Sequence, residues 1–273
     1  MDRFWRRAGA RLVQVLFGGT FDPVHDGHVM MVESLLRAFP NATIHVIPNH
    51  QPPHRACMVS SEHRLAMLKA AMDGMSKVVV NAIELDRSGP SYTVDTLRAL
   101  REQFGTDESL VFCLGADAAG AIDQWYRSEL LAELSHLCIL NRADQRVEIP
   151  QSLSAYRWTD DLCEMREIGC GLLAFLDTPN VPVSSTVVRE LIAKDESRLP
   201  VPPKVADYIR QHRLYQDAFH CINHPLPVNR RAQRHGSARV HIFKHREMRF
   251  DKIPTTCCCC CCCRKLQWRC HPK

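Results

Sequence analysis

Short apolar runs alternate along the chain with segments in which apolar residues recur at helical spacing. The runs show little alternation of polar and apolar positions, which is typical of strands buried on both faces. They predict strands at Leu12–Phe17, Thr43–Pro48, Val78–Ile83, Leu110–Gly115, His136–Leu140 and Leu172–Leu176. The intervening segments predict helices at His28–Ala38, Glu62–Met72, Val94–Phe104, Ser128–Leu134, Thr186–Ala193 and Lys204–His212. This order predicts an α/β fold, a doubly wound parallel sheet with helices on both faces.

The periodic pattern stops after Tyr215, and the composition changes there. Residues 1–215 carry 23 Lys and Arg against 27 Asp and Glu, a net charge of −4, whereas residues 216–273 carry 12 against 3, a net charge of +9. The second segment also holds seven consecutive cysteines, Cys257–Cys263, and sequence neighbours cannot pair with good disulfide geometry. We therefore expect one domain over 1–215 and a basic, Cys-rich, mostly disordered extension over 216–273.

The sequence predicts neither a secretory signal nor a membrane-spanning segment. No run approaches the roughly 18 apolar residues of a transmembrane helix, and the short apolar stretch near the start leads into a glycine turn. Several of the scattered cysteines lie in apolar strand-like runs, as reduced and buried thiols do. These features favour a cytoplasmic location and argue against a membrane partner.

The first predicted strand runs into the sequence GGTFDPVHDGH. Gly18 and Gly19 let backbone N–H groups approach an anion closely, and Thr20 adds a hydroxyl. His25 and His28 add side-chain donors beside the amino end of the next helix, which favours phosphate. The stretch is neither the Walker-type loop nor G-x-G-x-x-G, and a zinc site would need more ligands than lie nearby. The motif therefore predicts a phosphate-binding turn.

A second anion site is predicted in the sequence VSSTVVR. Ser184, Ser185 and Thr186 lie where a helix begins, so hydroxyls and helix N–H groups converge there. Arg189, one turn further on, can reach the same anion with its planar guanidinium. Taken alone, this sequence also fits an ordinary helix cap, and its pairing with the H-x-G-H turn is what favours phosphate binding.

Two further loops place polar side chains after predicted strands. In NHQPPHR the two prolines force an extended loop, which makes His54 and Arg55 candidates for contact with substrate phosphates. A solvated basic loop would have the same sequence. In LGAD, Asp117 follows a strand end, where its carboxylate would either bind a ribose hydroxyl or cap a helix.

The stretch G-G-T-F-D-P-x-H-x-G-H resembles the signature of the H-x-G-H nucleotidyltransferase superfamily. The segments IPNHQPPHR, SYTVDTL, LGAD, QWYRSELL and TPNVPVSSTVVREL follow in the order found in bacterial nicotinate-nucleotide adenylyltransferases. The resemblance covers residues 11–215. It implies a Rossmann-like fold and an enzyme of NAD biosynthesis that joins ATP and nicotinate mononucleotide into nicotinate adenine dinucleotide and pyrophosphate.

The resemblance also implies roles for individual residues. His25, His28 and Arg189 would be catalytic, through contacts with the phosphates of ATP. The ATP-binding residues would be Gly18, Gly19, Thr20, Asp117, Ser184, Ser185 and Thr186. The substrate-binding residues would be His54, Arg55, Tyr92, Thr93, Trp125 and Tyr126, with the indole on the nicotinate ring. Mg²⁺ would enter with ATP, and no residue is predicted to hold a resident metal.

Several alternatives stay open. The same chemistry could act on nicotinamide mononucleotide or on another phosphate acceptor. The basic tail could bind nucleic acid, although the acidic body and the lack of a known binding motif make nucleic acid an unexpected partner. A non-catalytic relative is a third alternative, and the intact His25, His28, Ser185 and Arg189 argue against it. A homo-oligomer is neither required nor excluded.

Overall fold

The computed structural model describes residues 11–53, 56–142 and 150–216. In these ranges one seven-stranded parallel sheet has the order β3-β2-β1-β4-β5-β7-β6. The strands are β1 (Val13–Gly19), β2 (Thr43–Pro48), β3 (Val78–Val80), β4 (Ser109–Gly115), β5 (His136–Arg142), β6 (Arg157–Trp158) and β7 (Leu172–Thr178). The α-helices are α1 (Asp26–Ala38), α2 (Ser61–Met72), α3 (Thr93–Phe104), α4 (Ala116–Gly120), α5 (Leu131–Leu134), α6 (Ser185–Ala193) and α7 (Pro203–Gln211). The extension predicted to be disordered lies, beyond Gln216, outside the described residues.

The sheet is buried on both faces, as its non-alternating sequence predicts. Val15 and Phe17 of β1 belong to one apolar cluster, which Leu35 of α1 completes. Leu16, between them in sequence, belongs to a second cluster with Leu97 of α3. Because successive strand residues point to opposite faces, each face carries its own core and its own helix layer. The predicted doubly wound α/β fold is confirmed.

Local details differ from the prediction where elements are short. The strand predicted at Val78–Ile83 ends at Val80, because the side-chain oxygen of Asn81 accepts the N–H of Ile83 at 3.0 Å and closes a turn. The helix predicted at Ser128–Leu134 is a 3₁₀ turn followed by one α-helical turn. Elements α4 and β6 were not predicted, since five and two residues are too few to show a period.

The topology determines where a ligand binds. The strand order reverses between β1 and β4, which are neighbours in the sheet and lead to helices on opposite faces. In open parallel sheets the crevice for a ligand lies beyond the carboxyl ends of the strands at such a switch point. The glycine turn after β1 and the loop after β4 both lie at this edge.

His136, at the start of β5, is buried in its neutral form. Its side chain is fully buried, Nδ1 accepts the N–H of Leu172 at 3.0 Å and Nε2 lies 3.0 Å from the carbonyl oxygen of Ile168. One ring nitrogen accepts and the other donates, so the ring is neutral. Burial is the main cause that lowers the pKa of His136 to about 4.

We expect this histidine to destabilise the protein in acid. The unfolded chain binds the proton at an ordinary pKa, so the stabilisation is complete above pH 6.5 and is lost as the pH falls towards 4, with a loss of about 3 kcal/mol. Urea unfolding at pH 7 and pH 4 measures it. His136→Gln keeps a donor and an acceptor without titrating, so its loss over this range should be smaller by that amount. Equal losses in the two proteins would contradict the assignment.

Candidate functional site

The turn after β1 contains the first predicted phosphate site. Gly18, Gly19 and Thr20 line a cavity of about 230 Å³ at the carboxyl edge of the sheet. A Cβ on Gly19 would lie 2.9 Å from the ring of Phe21, so the turn requires glycine there. The sequence thus places backbone groups rather than bulky side chains at the mouth of the crevice.

His25 and His28 form a fixed pair at the amino end of α1. The N–H of His25, the residue before the helix, donates to Nδ1 of His28 at 3.2 Å. The two imidazole rings are stacked, with their centroids 3.7 Å apart, and the ring of Phe21 meets that of His28 edge-on at 4.9 Å. Because Nδ1 of His28 accepts, the proton of the neutral ring lies on Nε2, which can donate to an anion.

The second motif begins α6 and contacts the first. Ser184 caps the helix, its hydroxyl accepting the N–H of Val187 at 3.3 Å. The hydroxyl of Ser185 donates to the carbonyl oxygen of Pro23 at 3.0 Å. Ser184 is therefore an ordinary helix cap, and Ser185 connects the second motif to the first.

Arg189 joins the two motifs with its guanidinium. Nη1 donates to the carbonyl oxygen of Asp22 at 2.6 Å, and Nη2 donates to Oγ1 of Thr186 at 3.2 Å. Gly27 lets the start of α1 pack closely against the segment before α6, since a Cβ on Gly27 would lie 3.1 Å from both the ring of His25 and the side chain of Val183. The structure thus brings together the His pair and the arginine, as two anion sites acting on one ligand require.

Sequence reasoning missed the importance of Asp22, the residue whose carbonyl oxygen accepts the hydrogen bond from Arg189. This carboxylate is buried, and it accepts the N–H of Met58 and the hydroxyl of Tyr215, each at 2.7 Å. Burial and then the neighbouring Asp22 raise the pKa of Tyr215 well above its usual range. The F-D-P segment of the motif was a signal for Asp22, but no local pattern could pair it with a tyrosine 193 residues away.

Aromatic side chains border a second cavity of about 210 Å³ that adjoins the first. Tyr92 and Tyr126 pack against each other with ring centroids 4.6 Å apart. Trp125 lines both cavities and meets Phe112 edge-on at 6.2 Å. Thr93, the first residue of α3, also lines both. The structure therefore gathers four predicted substrate-binding residues around one cavity.

Glu84 adds a carboxylate to the first cavity that the sequence analysis did not single out. Oε1 accepts the hydroxyl of Thr96 at 2.7 Å, and Arg87 donates to the same hydroxyl at 2.6 Å. Burial is the main cause that raises the pKa of Glu84.

The remaining predicted residues have mixed outcomes. Asp117 is exposed in the first turn of α4, whose cap is Gly115, so the alternative of a capping aspartate is wrong and its ribose contact stays a prediction. His54 and Arg55 lie outside the described residues. In the described part of the chain, no group of three or more His, Cys, Asp and Glu side chains could hold a metal ion. No helix there is long and apolar enough to cross a membrane.

Comparison with known proteins shows the family of the chain. The model of the cytidylyltransferase-like family matches residues 16–191. Proteins of Pseudomonas paraeruginosa and Aeromonas salmonicida, both named probable nicotinate-nucleotide adenylyltransferase, are 38% and 39% identical over 206 and 207 residues. Each alignment covers 74% of this chain and 96% of the relative.

A solved structure supports the fold independently. The Plasmodium falciparum nicotinic acid mononucleotide adenylyltransferase complexed with NaAD superposes with a TM-score of 0.57 at 20% identity, covering 75% of this chain and 98% of that one. The family resemblance found in the sequence is therefore confirmed. The chain belongs to the cytidylyltransferase-like family and, within it, to the nicotinate-nucleotide adenylyltransferases.

Proposed function

We propose that this chain transfers the adenylyl group of ATP to the phosphate of nicotinate mononucleotide. The products are nicotinate adenine dinucleotide and pyrophosphate, a step of NAD biosynthesis. The observation that carries the proposal is the meeting of two anion-binding motifs on one loop, where Arg189 and Ser185 bond to the carbonyls of Asp22 and Pro23, next to the His pair. The names of the relatives agree with it.

The reaction needs positioning and charge neutralisation more than covalent chemistry. An oxygen of the acceptor phosphate attacks the α-phosphorus of ATP, and the bond from that phosphorus to the bridging β-oxygen breaks in line. The bridging oxygen leaves with the β- and γ-phosphates as pyrophosphate. His25 and His28 donate to phosphate oxygens as charge develops, and the first turn of α6 with Arg189 holds the β- and γ-phosphates.

The two cavities divide the remaining contacts. Gly18, Gly19 and Thr20 offer backbone and hydroxyl donors to ATP, and Asp117 binds a ribose hydroxyl. Trp125 stacks on the pyridine ring, with Tyr126 beside it. His54 and Arg55 remain candidates for the acceptor phosphate. The lining of the cavities supports the roles given to the glycine turn and to Trp125 and Tyr126. The roles given to Asp117, His54 and Arg55 rest on the family motifs alone.

Mg²⁺ is the metal expected with ATP. Both oxygens of the buried Asp22 already accept hydrogen bonds from the protein, and the described residues offer no cluster of ligands. The residues thus fit an ion that is carried by the triphosphate, as Mg²⁺ commonly is, rather than one held by the protein. When bound, it supplies neutralisation of phosphate charge.

The acid is expected to be preferred over the amide. Tyr92 and Thr93 lie at the amino end of α3, a 12-residue helix, and line the cavity beside Trp125. The partial positive charge of a helix amino end favours a carboxylate by about 1 kcal/mol, which corresponds to roughly a fivefold preference. We therefore assign the carboxylate of the nicotinate ring to this helix end.

One assay tests the activity and the substrate together. The full chain is supplied with ATP and Mg²⁺, with nicotinate mononucleotide or its amide, and both pyrophosphate and dinucleotide are measured. We expect kcat/KM for the acid to exceed that for the amide at least about fivefold. Equal or better use of the amide would overturn the substrate, and no turnover with either would overturn the function.

A further inference from the structure

Arg64 is a buried cation that the reaction described above does not use. It belongs to α2 and is 1% exposed. In the part of the chain that the structure describes, it forms no ion pair with a carboxylate, and its Nε has no hydrogen-bond partner. Burying such a charge is costly unless hydrogen bonds replace its hydration. The bonds that it does make therefore indicate its purpose.

The guanidinium of Arg64 connects the ends of two neighbouring strands. Nη1 donates to the carbonyl oxygens of Thr20 at 2.8 Å and Asn49 at 2.7 Å, and Nη2 donates to that of His50 at 2.9 Å. Thr20 follows β1 and the other two follow β2. A planar, rigid group that donates to three carbonyls fixes their relative positions, which a flexible chain with a single ammonium cannot do.

The two loops that Arg64 joins have different partners in the reaction. Thr20 belongs to the turn assigned to ATP. Beyond Asn49, the N–H of His50 donates to the hydroxyl of Ser91 at 2.9 Å, and the N–H of Ser91 donates to the carbonyl oxygen of Gln51 at 2.9 Å. Ser91 precedes Tyr92 and Thr93, which are assigned to the nicotinate. The N–H of Asn49 also donates to the carbonyl oxygen of Gly19 at 2.9 Å, and the guanidinium of Arg64 extends this connection between the ATP side and the acceptor side to Thr20 and His50.

We propose that Arg64 is a positioning residue for adenylyl transfer, setting the separation between the ATP turn and the acceptor loops. This inference rests on the proposed function. Each loop keeps its own substrate contacts without Arg64, but the attacking oxygen and the α-phosphorus are then no longer aligned. Displacement of reacting groups by about 1 Å can lower a rate on the order of 100-fold.

Replacing Arg64 by methionine or lysine separates positioning from binding. We expect kcat to fall about 30- to 100-fold in Arg64→Met, while the Kd of ATP and that of nicotinate mononucleotide, each measured alone, stay within about threefold of wild type. Arg64→Lys keeps the charge and should recover part of kcat. If Arg64→Met does not fold, the kcat and the Kd values of Arg64→Lys are used for the test. Single-turnover rates measure the chemical step, and calorimetry measures the two Kd values.

Met67→Ala is the matched control for lost stability. Met67 is fully buried in the same helix and lines neither cavity, so this variant should lower Tm and leave kcat within about threefold. If folded Arg64→Lys and Arg64→Met behave like Met67→Ala, or if they lose substrate affinity as much as kcat, Arg64 is not a positioning residue. An inactive wild-type chain would instead refute the proposed function.

Discussion

Replacing His28 by alanine is expected to lower kcat by about 100- to 1,000-fold, the usual effect of removing one donor aimed at developing charge. The orientation of its ring is fixed by the backbone N–H of His25 and by the stacked imidazole, so the remaining nitrogen is a preorganised donor. Because that donor matters most in the transition state, KM for ATP should change much less than kcat. Steady-state kinetics with saturating nicotinate mononucleotide measure both.

Two variants show whether the loss comes from the donor itself. His28→Asn keeps an N–H group and should recover part of the rate. His212→Ala removes an exposed histidine that packs on Tyr208, far along the chain from the motif, and should behave like wild type. A Tm close to that of wild type excludes misfolding as the cause. Near-normal turnover of folded His28→Ala would refute the role of His28.

Replacing Arg189 by lysine is expected to lower kcat/KM for ATP by about 10- to 150-fold. The guanidinium donates to the carbonyl oxygen of Asp22 and to the hydroxyl of Thr186, and its other N–H groups are the ones that we propose to contact a phosphate. A lysine has one compact ammonium and cannot make these contacts together. Losing a charge-assisted hydrogen bond costs about 1.5–3 kcal/mol, which sets this magnitude.

The control for Arg189 is an arginine of the same protein outside the crevice. Arg210 on α7 is exposed and contacts Asp207 and the carbonyl oxygen of Ser197, so Arg210→Ala should leave kcat/KM unchanged. Kinetics at varied ATP with fixed acceptor compare the three proteins. An Arg189→Lys variant as active as Arg210→Ala would contradict the role of Arg189 in the second anion site.

The fold was largely predictable because its strands are apolar on both faces. The run Thr43–Pro48 is recognisable as a strand from its own residues, without knowledge of the strands beside it. Its predicted bounds match those of the observed strand. The predictions fail where a side chain overrides the apolar pattern, as Asn81 does when it bonds to the N–H of Ile83. Very short elements such as β6 have too few residues to show any pattern.

The site was predictable only where it is contiguous in sequence. The motif around His25 and His28 is local, and its meeting with Arg189 follows from a shared edge of the sheet. The contacts that support it are not local. In the sequence, Arg64 looks like an ordinary charged residue of a helix, and Tyr215 is simply the last residue of the predicted domain. Each nevertheless donates to a loop that is distant in sequence. Their roles depend on tertiary contacts, which the spacing of residues along the chain does not predict.

The proposed function requires that the His pair and Arg189 hold one triphosphate. A crystal structure of the chain with a non-hydrolysable ATP analogue tests it most directly. We expect Nε2 of His28 and the guanidinium of Arg189 both to lie about 3 Å from oxygens of the same triphosphate. An analogue whose phosphates contact only one of the two, or neither, would contradict it.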